Sequence, residues 1–334
     1  MSPSVLTVIL NWRTPEMTLR SVEAVLVAME GIAGAITVVD NDSGDGSEET
    51  LRAALAGQPR VRVVQAGRNG GFGAGNNVGI RAGLPDGSRP DYAYILNSDA
   101  FPAPDAIRIL LDHLEAHPQV GFAGSYIHGL EGEPHQTLFR FPSIASEFEG
   151  AARTGPISRL LRHRIVPLPI PSAPVTRVDW TAGCSLMMRQ SVLDRIGLFD
   201  EEFFLYFEET DLCTRAAKAG WPTDYLLDSK VAHIGSESTG MKRWKRTPRY
   251  WFDSRHRYFT KSHGRLYATA ATCAHVAGGL LWRLRCALTR RGTGDPPHFL
   301  RDLIAHHLTT GTRSPPSAPP APTSGANTPA RSQT

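Results

Sequence analysis

The sequence predicts an α/β protein built on a doubly wound, mostly parallel sheet, and two observations carry this prediction. Short apolar runs alternate with helix-like segments four times within residues 5–116, which is the pattern of repeated strand–helix–strand crossovers. Polar side chains also cluster directly after these runs. Ligands bind at the carboxyl ends of the strands in such sheets, so the clusters indicate a binding site.

The first half of the chain contains four predicted strands and four predicted helices. Four short runs rich in β-branched or aromatic residues predict strands at residues 5–10, 36–39, 61–64 and 92–96. Thr14-Pro15-Glu16 supplies a helix cap, a first-turn proline and a first-turn acid, which predicts a helix to about residue 29. Further helices are predicted from residue 47, over about 74–82 and over about 104–116.

The second half of the chain is less regular. Residues 125–174 are rich in proline and arginine without a clear period, so long loops over the sheet are expected. Regular structure resumes at residues 178–188, with helices over about 207–219 and 248–261 and short strands at 224–227 and 231–234.

The chain therefore divides into three predicted parts. Residues 1–240 form the main domain, in two halves of about 1–124 and 125–240. Residues 241–310 form a basic, partly amphipathic helical extension, since positive charge concentrates after residue 240. The proline- and serine-rich tail, residues 311–334, is expected to be disordered.

Composition limits the classes of function. The formal net charge of +4 over 334 residues gives only weak support for anionic partners and does not indicate nucleic acid. The N-terminus has neither a basic region nor a cleavage site of small residues, so no secretory signal is expected. The four cysteines have no metal-binding spacing, and reduced thiols in a cytosolic protein are expected.

The glycine-rich stretch Asn69-Gly-Gly-Phe-Gly-Ala-Gly-Asn-Asn does not fit a dinucleotide-binding motif. Asn76 stands where G-x-G-x-x-G needs its third glycine, and the stretch follows the third predicted strand rather than the first. A phosphate-binding P-loop is excluded because no Gly-Lys-Ser/Thr is present. Two interpretations stay open, namely a close approach of the backbone to a ligand and a tight strand-to-helix turn.

Leu96-Asn-Ser-Asp follows the fourth predicted strand. Asp99 either caps the following turn or serves as the carboxylate ligand of a divalent cation, which prefers diphosphate together with one or two protein carboxylates. His233 follows another short apolar run, and nothing in its spacing distinguishes a metal ligand from a structural histidine.

Residues 199–215 hold the densest group of acids. On a helix, Glu208, Asp211 and Arg215 share one face, and an ion pair between Asp211 and Arg215 is predicted from their spacing. Glu209 points away from that face, has no partner in the pattern and lies beside aromatic residues. Such surroundings raise the pKa of a carboxyl group, as a general base requires.

Five stretches, in sequence order, resemble the family-2 glycosyltransferases, which are inverting enzymes with the GT-A fold. Within that family the chain is most similar to bacterial rhamnosyltransferases of cell-surface polysaccharide synthesis. The resemblance covers about residues 5–240. Its stretches are Val38-Val-Asp-Asn-Asp-Ser, Leu96-Asn-Ser-Asp and residues 69–80, 181–189 and 199–215.

The resemblance implies a role for each site residue. Glu209 is the implied base, with Glu208 and Asp211 as alternatives. Asn97-Ser-Asp stands in place of the family's Asp-x-Asp metal motif, so Asp99 and His233 are the implied ligands of Mn²⁺ or Mg²⁺. The implied donor-binding residues, of which the first four hold the nucleobase, are Leu10, Asn11, Asp40, Asn69, Gly71, Asn76, Asn97 and Ser98.

The implied reaction is a single displacement that inverts the anomeric carbon of a nucleoside-diphosphate sugar, with residues 1–124 as the donor half and 125–240 as the acceptor half. A sugar-phosphate nucleotidyltransferase is an alternative. It needs a glycine-rich, basic loop after the first strand, where this chain has Asn11-Trp-Arg-Thr-Pro. A non-catalytic nucleotide-sugar or glycan-binding module is another alternative, and it needs neither Asp99 nor Glu209.

The sugar follows from the resemblance alone, whereas the acceptor follows from the resemblance together with the basic, amphipathic C-terminal region. A lipid-linked glycan at the inner face of the plasma membrane is the expected acceptor. L-rhamnose carried by deoxythymidine diphosphate is the expected donor, with uridine-diphosphate sugars next. The apolar residues 266–282 are too short and too interrupted by glycine to predict a membrane span. They predict either a membrane-surface helix or packing on the main domain, and residues 241–291 are the expected membrane contact of a cytoplasmic protein.

Overall fold

The computed structural model describes residues 2–235 and 245–310. The predicted boundary at residue 240 and the predicted disordered tail lie outside these residues. The strands are β1 (Ser4–Asn11), β2 (Ala33–Asp40), β3 (Val61–Gln65), β4 (Tyr92–Asn97), β5 (Ala100–Pro102), β6 (Phe122–His128), β7 (Leu138–Phe139), β8 (Val175–Val178), β9 (Trp180–Thr181), β10 (Ser185–Arg189) and β11 (Thr223–His233). The helices are α1 (Pro15–Ala28), α2 (Ser47–Leu55), α3 (Gly71–Arg81), α4 (Ala106–Ala116), α5 (Ile144–Ala152), α6 (Gly155–Leu160), α7 (Gln190–Ile196), α8 (Glu208–Lys218), α9 (Arg249–His263), α10 (Arg265–Thr289) and α11 (Phe299–Thr309).

A mostly parallel sheet lies at the centre of the described residues. Its strand order is β3-β2-β1-β4-β10-β6-β11-β5, and β8 pairs with β11. β1 to β4, β6 and β11 point the same way, whereas β5, β8 and β10 run antiparallel to their neighbours. The register places Asn11 beside Asp40 and Leu10 beside Asn97. The ends of β1, β2 and β4 therefore meet at one edge, as the sequence predicted.

Helices cover both faces of this sheet, which confirms the doubly wound fold. Alternate residues of β1 point to opposite faces. Val5 and Ile9 belong to the core beneath α1 and α4, whereas Leu6 and Val8 belong to the core beneath α3, α7 and α8. The run VLTVIL reads as continuously apolar for this reason, since a strand buried on both faces has no solvent side.

The structure corrects the predicted second half in two respects. Residues 125–174 hold β7, α5, α6 and most of β6 and are not merely long loops. Because α5 has only nine residues, it is too short to show a clear helical period. The two strands predicted at residues 224–227 and 231–234 are one strand, β11, whose register against β6 shifts between Leu226 and Lys230.

The helical extension packs on the main domain through the inner face of α10. A Cβ atom added at Gly278 would lie 2.5 Å from the carbonyl oxygen of Phe148 in α5, so the glycine allows the two helices to approach closely. This result favours the packing interpretation for that face of residues 266–282. Among the described residues, no helix combines the length and the apolar character that crossing a membrane requires.

A buried ionic network joins the extension to α5. Oε2 of Glu147 lies 2.7 Å from a guanidinium nitrogen of Arg255 in α9 and 2.7 Å from Nδ1 of His275 in α10. Burial opposes the ionisation of Glu147, but the charges of Arg255 and His275 and their hydrogen bonds lower its pKa to about 2. Glu147 is therefore ionised at neutral pH and holds α9 and α10 together.

Candidate active site

The first polar cluster joins the ends of β1 and β2. The side-chain amide of Asn11 donates to Oδ1 of Asp40 at 2.7 Å, and the hydroxyl of Thr18 donates to Oδ1 of Asn11 at 2.8 Å. Both Asn11 and Asp40 are buried. Asn11 therefore fixes the edge of the sheet against the start of α1.

Asp40 accepts four hydrogen bonds. Besides Asn11, its donors are the backbone N–H and hydroxyl of Ser43, at 3.0 and 2.6 Å, and the side-chain amide of Gln65, at 3.0 Å. Neither Ser43 nor Gln65 was among the predicted site residues. A direct contact between Asp40 and a nucleobase would replace one of these donors.

The glycine-rich stretch forms the start of α3, which begins at Gly71 and so three residues earlier than predicted. A Cβ atom added at Gly71, where φ is +87°, would lie 1.7 Å from the carbonyl oxygen of Phe204. The N–H of Phe72 donates to that same oxygen at 3.0 Å. These contacts favour the tight-turn interpretation, because protein backbone occupies the space beside Gly71.

Three other predicted donor-binding residues in or beside this stretch are also held in protein contacts. Oδ1 of Asn69 accepts from the amide of Asn41 at 3.1 Å, and Asn76 is buried with its amide donating to the carbonyl of Phe72 at 3.0 Å. Leu10 packs beneath α3, since a Cβ atom at Gly75 would lie 2.4 Å from its Cδ1. These residues form the floor of the strand edge.

The second cluster brings Asp99 and His233 together. His233 pairs with Ala100 across β11 and β5, and its Nε2 lies 3.1 Å from Oδ1 of Asp99 and 3.3 Å from the amide nitrogen of Asn97. The N–H of Gly235 donates to Oδ2 of Asp99 at 3.1 Å. Burial opposes the ionisation of Asp99, but the hydrogen bond and charge of His233 and the backbone N–H groups lower its pKa.

The side chains around Asp99 fit a cation that arrives with a diphosphate. Within residues 2–235 and 245–310, no group of three or more His, Cys, Asp or Glu side chains is arranged to hold a metal ion. Mg²⁺ and similar cations, however, take one or two protein carboxylates and complete their coordination with substrate phosphates and water. Asp99 and His233 could supply one oxygen and one nitrogen ligand, since Oδ1 and Nε2 lie 3.1 Å apart. The hydroxyl of Ser98 lies away from them, 3.2 Å from the hydroxyl of Thr14.

The acidic cluster lies at the start of α8, after a strained turn. Tyr206 and Phe207 have φ angles of +69° and +68°, a left-handed conformation that costs non-glycine residues about 1–3 kcal/mol each. Such strain persists only where the surroundings hold the backbone in place, and it concentrates at functional sites. Glu208 and Glu209 follow directly.

Glu208 and Glu209 differ in accessibility. Glu208 is 2% exposed, its Oε2 has no hydrogen-bond partner among the described residues, and burial together with the charge of Glu209 raises its pKa. Glu209 is less buried, and its Oε1 accepts from the N–H of Gly183 at 3.3 Å. Burial raises the pKa of Glu209, which confirms the direction that the sequence predicted. Its Oε2 also has no protein partner in the described part of the chain.

Asp211 is already paired with cations. Its Oδ2 lies 2.8 Å from Nε of Arg215 and 2.8 Å from Nζ of Lys261. The predicted ion pair with Arg215 is therefore confirmed, and the second partner comes from the helical extension. Of the three acids, Asp211 is the one whose carboxylate is held by two protein cations.

One short turn connects the acidic cluster with the Asp99 cluster. The N–H of Gly183 donates to Glu209, while the carbonyl of the next residue, Cys184, accepts from the N–H of Asn97 at 3.1 Å. Burial, together with the negative charges of Asp99 and Glu209, raises the pKa of the Cys184 thiol to about 12. The candidate metal ligands and the candidate base thus lie around the same turn.

Asn77 lies in the glycine-rich stretch, and its side chain joins two parts of the candidate site although it was not among the predicted site residues. Its amide donates to the carbonyl of Phe199 at 2.8 Å, and its Oδ1 accepts from the N–H of Phe199 at 3.0 Å. This paired contact ties α3 to the segment that leads into α8. A second asparagine directly after Asn76 was the only signal for this role in the sequence.

Comparison with known proteins identifies the family. Residues 3–257 match the family described as glycosyltransferase like family 2. An N-acetylglucosaminyl-diphospho-decaprenol L-rhamnosyltransferase of Mycobacterium tuberculosis is 31% identical over 221 residues, which cover 62% of this chain and 68% of the relative. Rhamnosyltransferase WbbL of Escherichia coli is 28% identical over 170 residues, which cover 49% of this chain and 60% of the relative.

A solved structure supports the same fold. The mannosyltransferase PcManGT from Pyrobaculum calidifontis, in complex with GDP-Man and Mn²⁺, aligns with a TM-score of 0.55 at 15% identity. The alignment covers 93% of this chain and 88% of that chain. The enzyme class is glycosyl transfer rather than nucleotidyl transfer or binding alone. The chain belongs to glycosyltransferase family 2 and has the GT-A fold.

Proposed function

We propose that this glycosyltransferase moves a sugar, with inversion, from a nucleoside-diphosphate donor to a hydroxyl of a lipid-linked glycan in bacterial cell-surface polysaccharide synthesis. The observation that carries the proposal is the turn at Gly183 and Cys184. It contacts both Glu209 and Asn97, which is two residues before Asp99. A base and a metal-binding carboxylate around one turn are what a displacement at an anomeric carbon needs.

The strand edge is the proposed donor site. The ends of β1 and β2 and the start of α3 form its nucleotide end, with Leu10, Asn11, Asp40, Asn69, Gly71 and Asn76 as its residues. Asn97 and Ser98 lie at the end of β4, between that region and Asp99. Asn11 and Asp40 are buried and already hydrogen-bonded, so their proposed contribution is to hold the edge in a fixed shape for the base.

Asp99 and His233 would hold the divalent cation, Mn²⁺ or Mg²⁺, against the donor diphosphate. A bound cation supplies charge neutralisation for the departing nucleoside diphosphate. The lowered pKa of Asp99 supports this role, because an ionised carboxylate is the form that binds metal. The hydrogen bond from Gly235 orients that carboxylate.

Glu209 is the proposed general base. Oε1 accepts from the N–H of Gly183, whereas Oε2 is buried and has no protein partner among the described residues, so the acceptor hydroxyl would supply its missing partner. Glu209 takes the proton from this hydroxyl as the oxygen attacks the anomeric carbon. The raised pKa of Glu209 brings its basicity closer to neutral pH, where such a base works best.

L-rhamnose is the proposed sugar because two relatives are named as rhamnosyltransferases. The test is a thermal-shift panel of nucleoside-diphosphate sugars with Mn²⁺ or Mg²⁺, in which deoxythymidine-diphosphate-rhamnose should stabilise the protein most. Glu209→Gln should keep this shift, whereas Asp99→Ala should lose it. A shift by another donor alone would refute rhamnose, and a metal-independent shift would refute the metal role.

The outer face of α10 is the proposed contact with the cytoplasmic surface of the plasma membrane. Exposed apolar residues recur along it every three or four positions, which places them on one side of the helix. They are Leu266, Ala270, Cys273, Ala277, Leu280, Leu281, Leu284 and Leu288. Between Asp253 and Asp295 the chain has eight Arg or Lys residues and no acid. Basic charge beside an exposed apolar face favours an anionic lipid surface and disfavours pairing with a second, equally basic copy.

Cys273 allows a direct test of this contact. It is exposed on the outer face, whereas the other three cysteines are buried, so a polarity-sensitive thiol dye reports on this face. Vesicles with anionic lipid should shift the dye emission to the blue, and neutral vesicles should shift it less. Leu280→Gln/Leu284→Gln/Leu288→Gln should abolish the shift, and Leu130→Gln, at another exposed leucine, should not. A shift that depends on protein concentration without vesicles would instead indicate a second copy.

A further inference from the structure

Helix α9 of the extension lies against the segment that leads into α8, the helix that carries Glu209. We name residues 200–207 the base loop. Oδ2 of Asp200, at its start, lies 2.7 Å from a guanidinium nitrogen of Arg257 and 2.7 Å from Nζ of Lys261. Burial opposes the ionisation of Asp200, but the hydrogen bonds from Lys261 and Arg257 lower its pKa. The base loop therefore begins at an ionised carboxylate held by α9.

Lys261 also reaches the other side of the base loop. Its Nζ lies 2.8 Å from Oδ2 of Asp211, which is in the first turn of α8, two residues after Glu209. The side chains of Asp200 and Asp211 are only 15% and 1% exposed. A single ammonium group therefore joins the start of the base loop to the helical turn that carries Glu209.

Other contacts from α9 hold the middle of the base loop. The hydroxyl of Ser254 donates to the carbonyl of Leu205 at 3.0 Å. The ring of Phe207 packs against Trp251 and Tyr258, with centroids 6.0 and 5.6 Å apart. Strained left-handed residues persist only where neighbours fix the backbone, and α9 supplies these neighbours on one side of Tyr206 and Phe207.

Lys261 lies beyond the part of the chain that matches the family, which ends at residue 257. Three of the α9 contacts, from Ser254, Arg257 and Trp251, fall inside that match, but the bridge between Asp200 and Asp211 is completed from outside it. The positive charge of Lys261, which pairs with the acidic cluster, thus comes from a part of the extension outside the family match.

We propose that α9 is a positioning element of the active site, in which Lys261 and Arg257 set the location of Glu209 without touching the substrate. This inference rests on the proposed role of Glu209 as the base. A small displacement of a catalytic group lowers the rate strongly even when binding is intact. Loss of the bridge should therefore reduce kcat and leave donor binding unchanged.

The test compares two lysines that connect the same two helices. Lys261→Met removes the bridge. Lys218→Met is the matched control, because Nζ of Lys218 in α8 donates to the carbonyl of Ser262 at 2.9 Å. Among the described residues, the cations paired with Asp200 and Asp211 are Arg257, Lys261 and Arg215, not Lys218. Lys261→Met should lower kcat about tenfold or more with the donor KM unchanged, and Lys261→Arg should restore most of it. Lys218→Met should have kcat close to wild type.

Hydrogen–deuterium exchange separates this inference from the proposed function. Exchange in residues 200–207 should rise in Lys261→Met and stay at the wild-type level in Lys218→Met, whether or not the correct sugar has been found. An inactive wild type with this exchange pattern would count against the proposed function and support the bridge. Unchanged kcat and unchanged exchange in Lys261→Met would overturn the inference, as would equal losses in both variants.

Discussion

Oδ1 of Asp99 lies 3.1 Å from Nε2 of His233, although 134 residues separate them. The pairing of β5 with β11 brings them together. The motif Asn97-Ser-Asp has one acid where the family pattern has two, so Asp99 alone gives a weak site for a cation. In the proposed site His233 would supply the second ligand from a distant strand, so metal binding is expected to depend on both residues.

Replacement of His233 should weaken metal binding. We expect His233→Ala to raise the Mn²⁺ concentration needed for half-maximal donor stabilisation by at least the ~10–100-fold that loss of an outer-shell partner causes, because the cation loses a direct ligand. His128→Asn, at the end of β6, is the control. A thermal-shift titration with Mn²⁺ at constant donor measures the effect. An unchanged Mn²⁺ requirement in His233→Ala would contradict the assignment.

Glu208→Gln should stabilise the protein at high pH. The pKa of Glu208 is raised by burial and by Glu209. The protonated carboxyl of Glu208 therefore contributes to the unfolding free energy below the usual glutamate pKa. This contribution is lost as pH rises through the folded-state pKa. We expect the variant to gain roughly 1–3 kcal/mol in unfolding free energy at pH 8 relative to wild type, and less at pH 5. Urea denaturation at both pH values checks this, and a less stable variant at pH 8 would count against it.

Glu147→Gln should weaken the attachment of the extension to α5. Buried Arg255 would lose its charged partner, which costs about 3–5 kcal/mol. The pKa of Glu147 is about 2 in the folded state, below the ordinary value of 4.5. Its contribution to the unfolding free energy is therefore present above the unfolded-state pKa and is lost as pH falls from about 4.5 to 2. Denaturation at several pH values should show this dependence in wild type only. Arg246→Gln, which breaks an exposed ion pair with Asp302, should cost under about 1 kcal/mol. Equal losses in both variants would contradict the role of the network.

Gly71→Ala should disturb the contact between α3 and the base loop. Its Cβ atom would collide with the carbonyl of Phe204, so a cost above about 2 kcal/mol is expected. Gly87→Ala is a matched control with a φ of +81° and no atom within 4 Å of the added Cβ. It should cost only about 1 kcal/mol. If both substitutions have the same cost in thermal unfolding, the close approach is not important for stability.

The strand edge was predictable because its signals are local. A buried strand, a polar residue at its end and a following helix occupy fewer than thirty consecutive residues, so Asn11, Asp40 and Asp99 were placed at strand ends correctly. The Asp211–Arg215 ion pair was also predictable, since one helical turn separates them. The raised pKa of Glu209 was predicted in direction, and burial is its cause.

Long-range contacts were not predictable from these patterns. A glycine at position 71 allows the close approach of either a ligand or another segment of backbone. Only the position of Phe204 in the structure shows that backbone occupies this space. The bridge from Lys261 to Asp200 and Asp211 requires α9 to fold back over α8, which no periodicity in residues 249–263 indicates. α5 is too short for its sequence to show a helical period, and it is recognised only from its packing with α10 in the structure.

The most direct test of the central claim is single-turnover sugar transfer by wild type and Glu209→Gln at equal donor occupancy. The assay uses Mn²⁺, the donor selected by thermal shift and a lipid-linked glycan acceptor. The account predicts that Glu209→Gln loses about 10²–10⁴-fold in rate while binding donor like wild type. In wild type the rate should fall as pH drops through a pKa above the usual glutamate value of about 4.3. Transfer by Glu209→Gln at the wild-type rate would contradict the account.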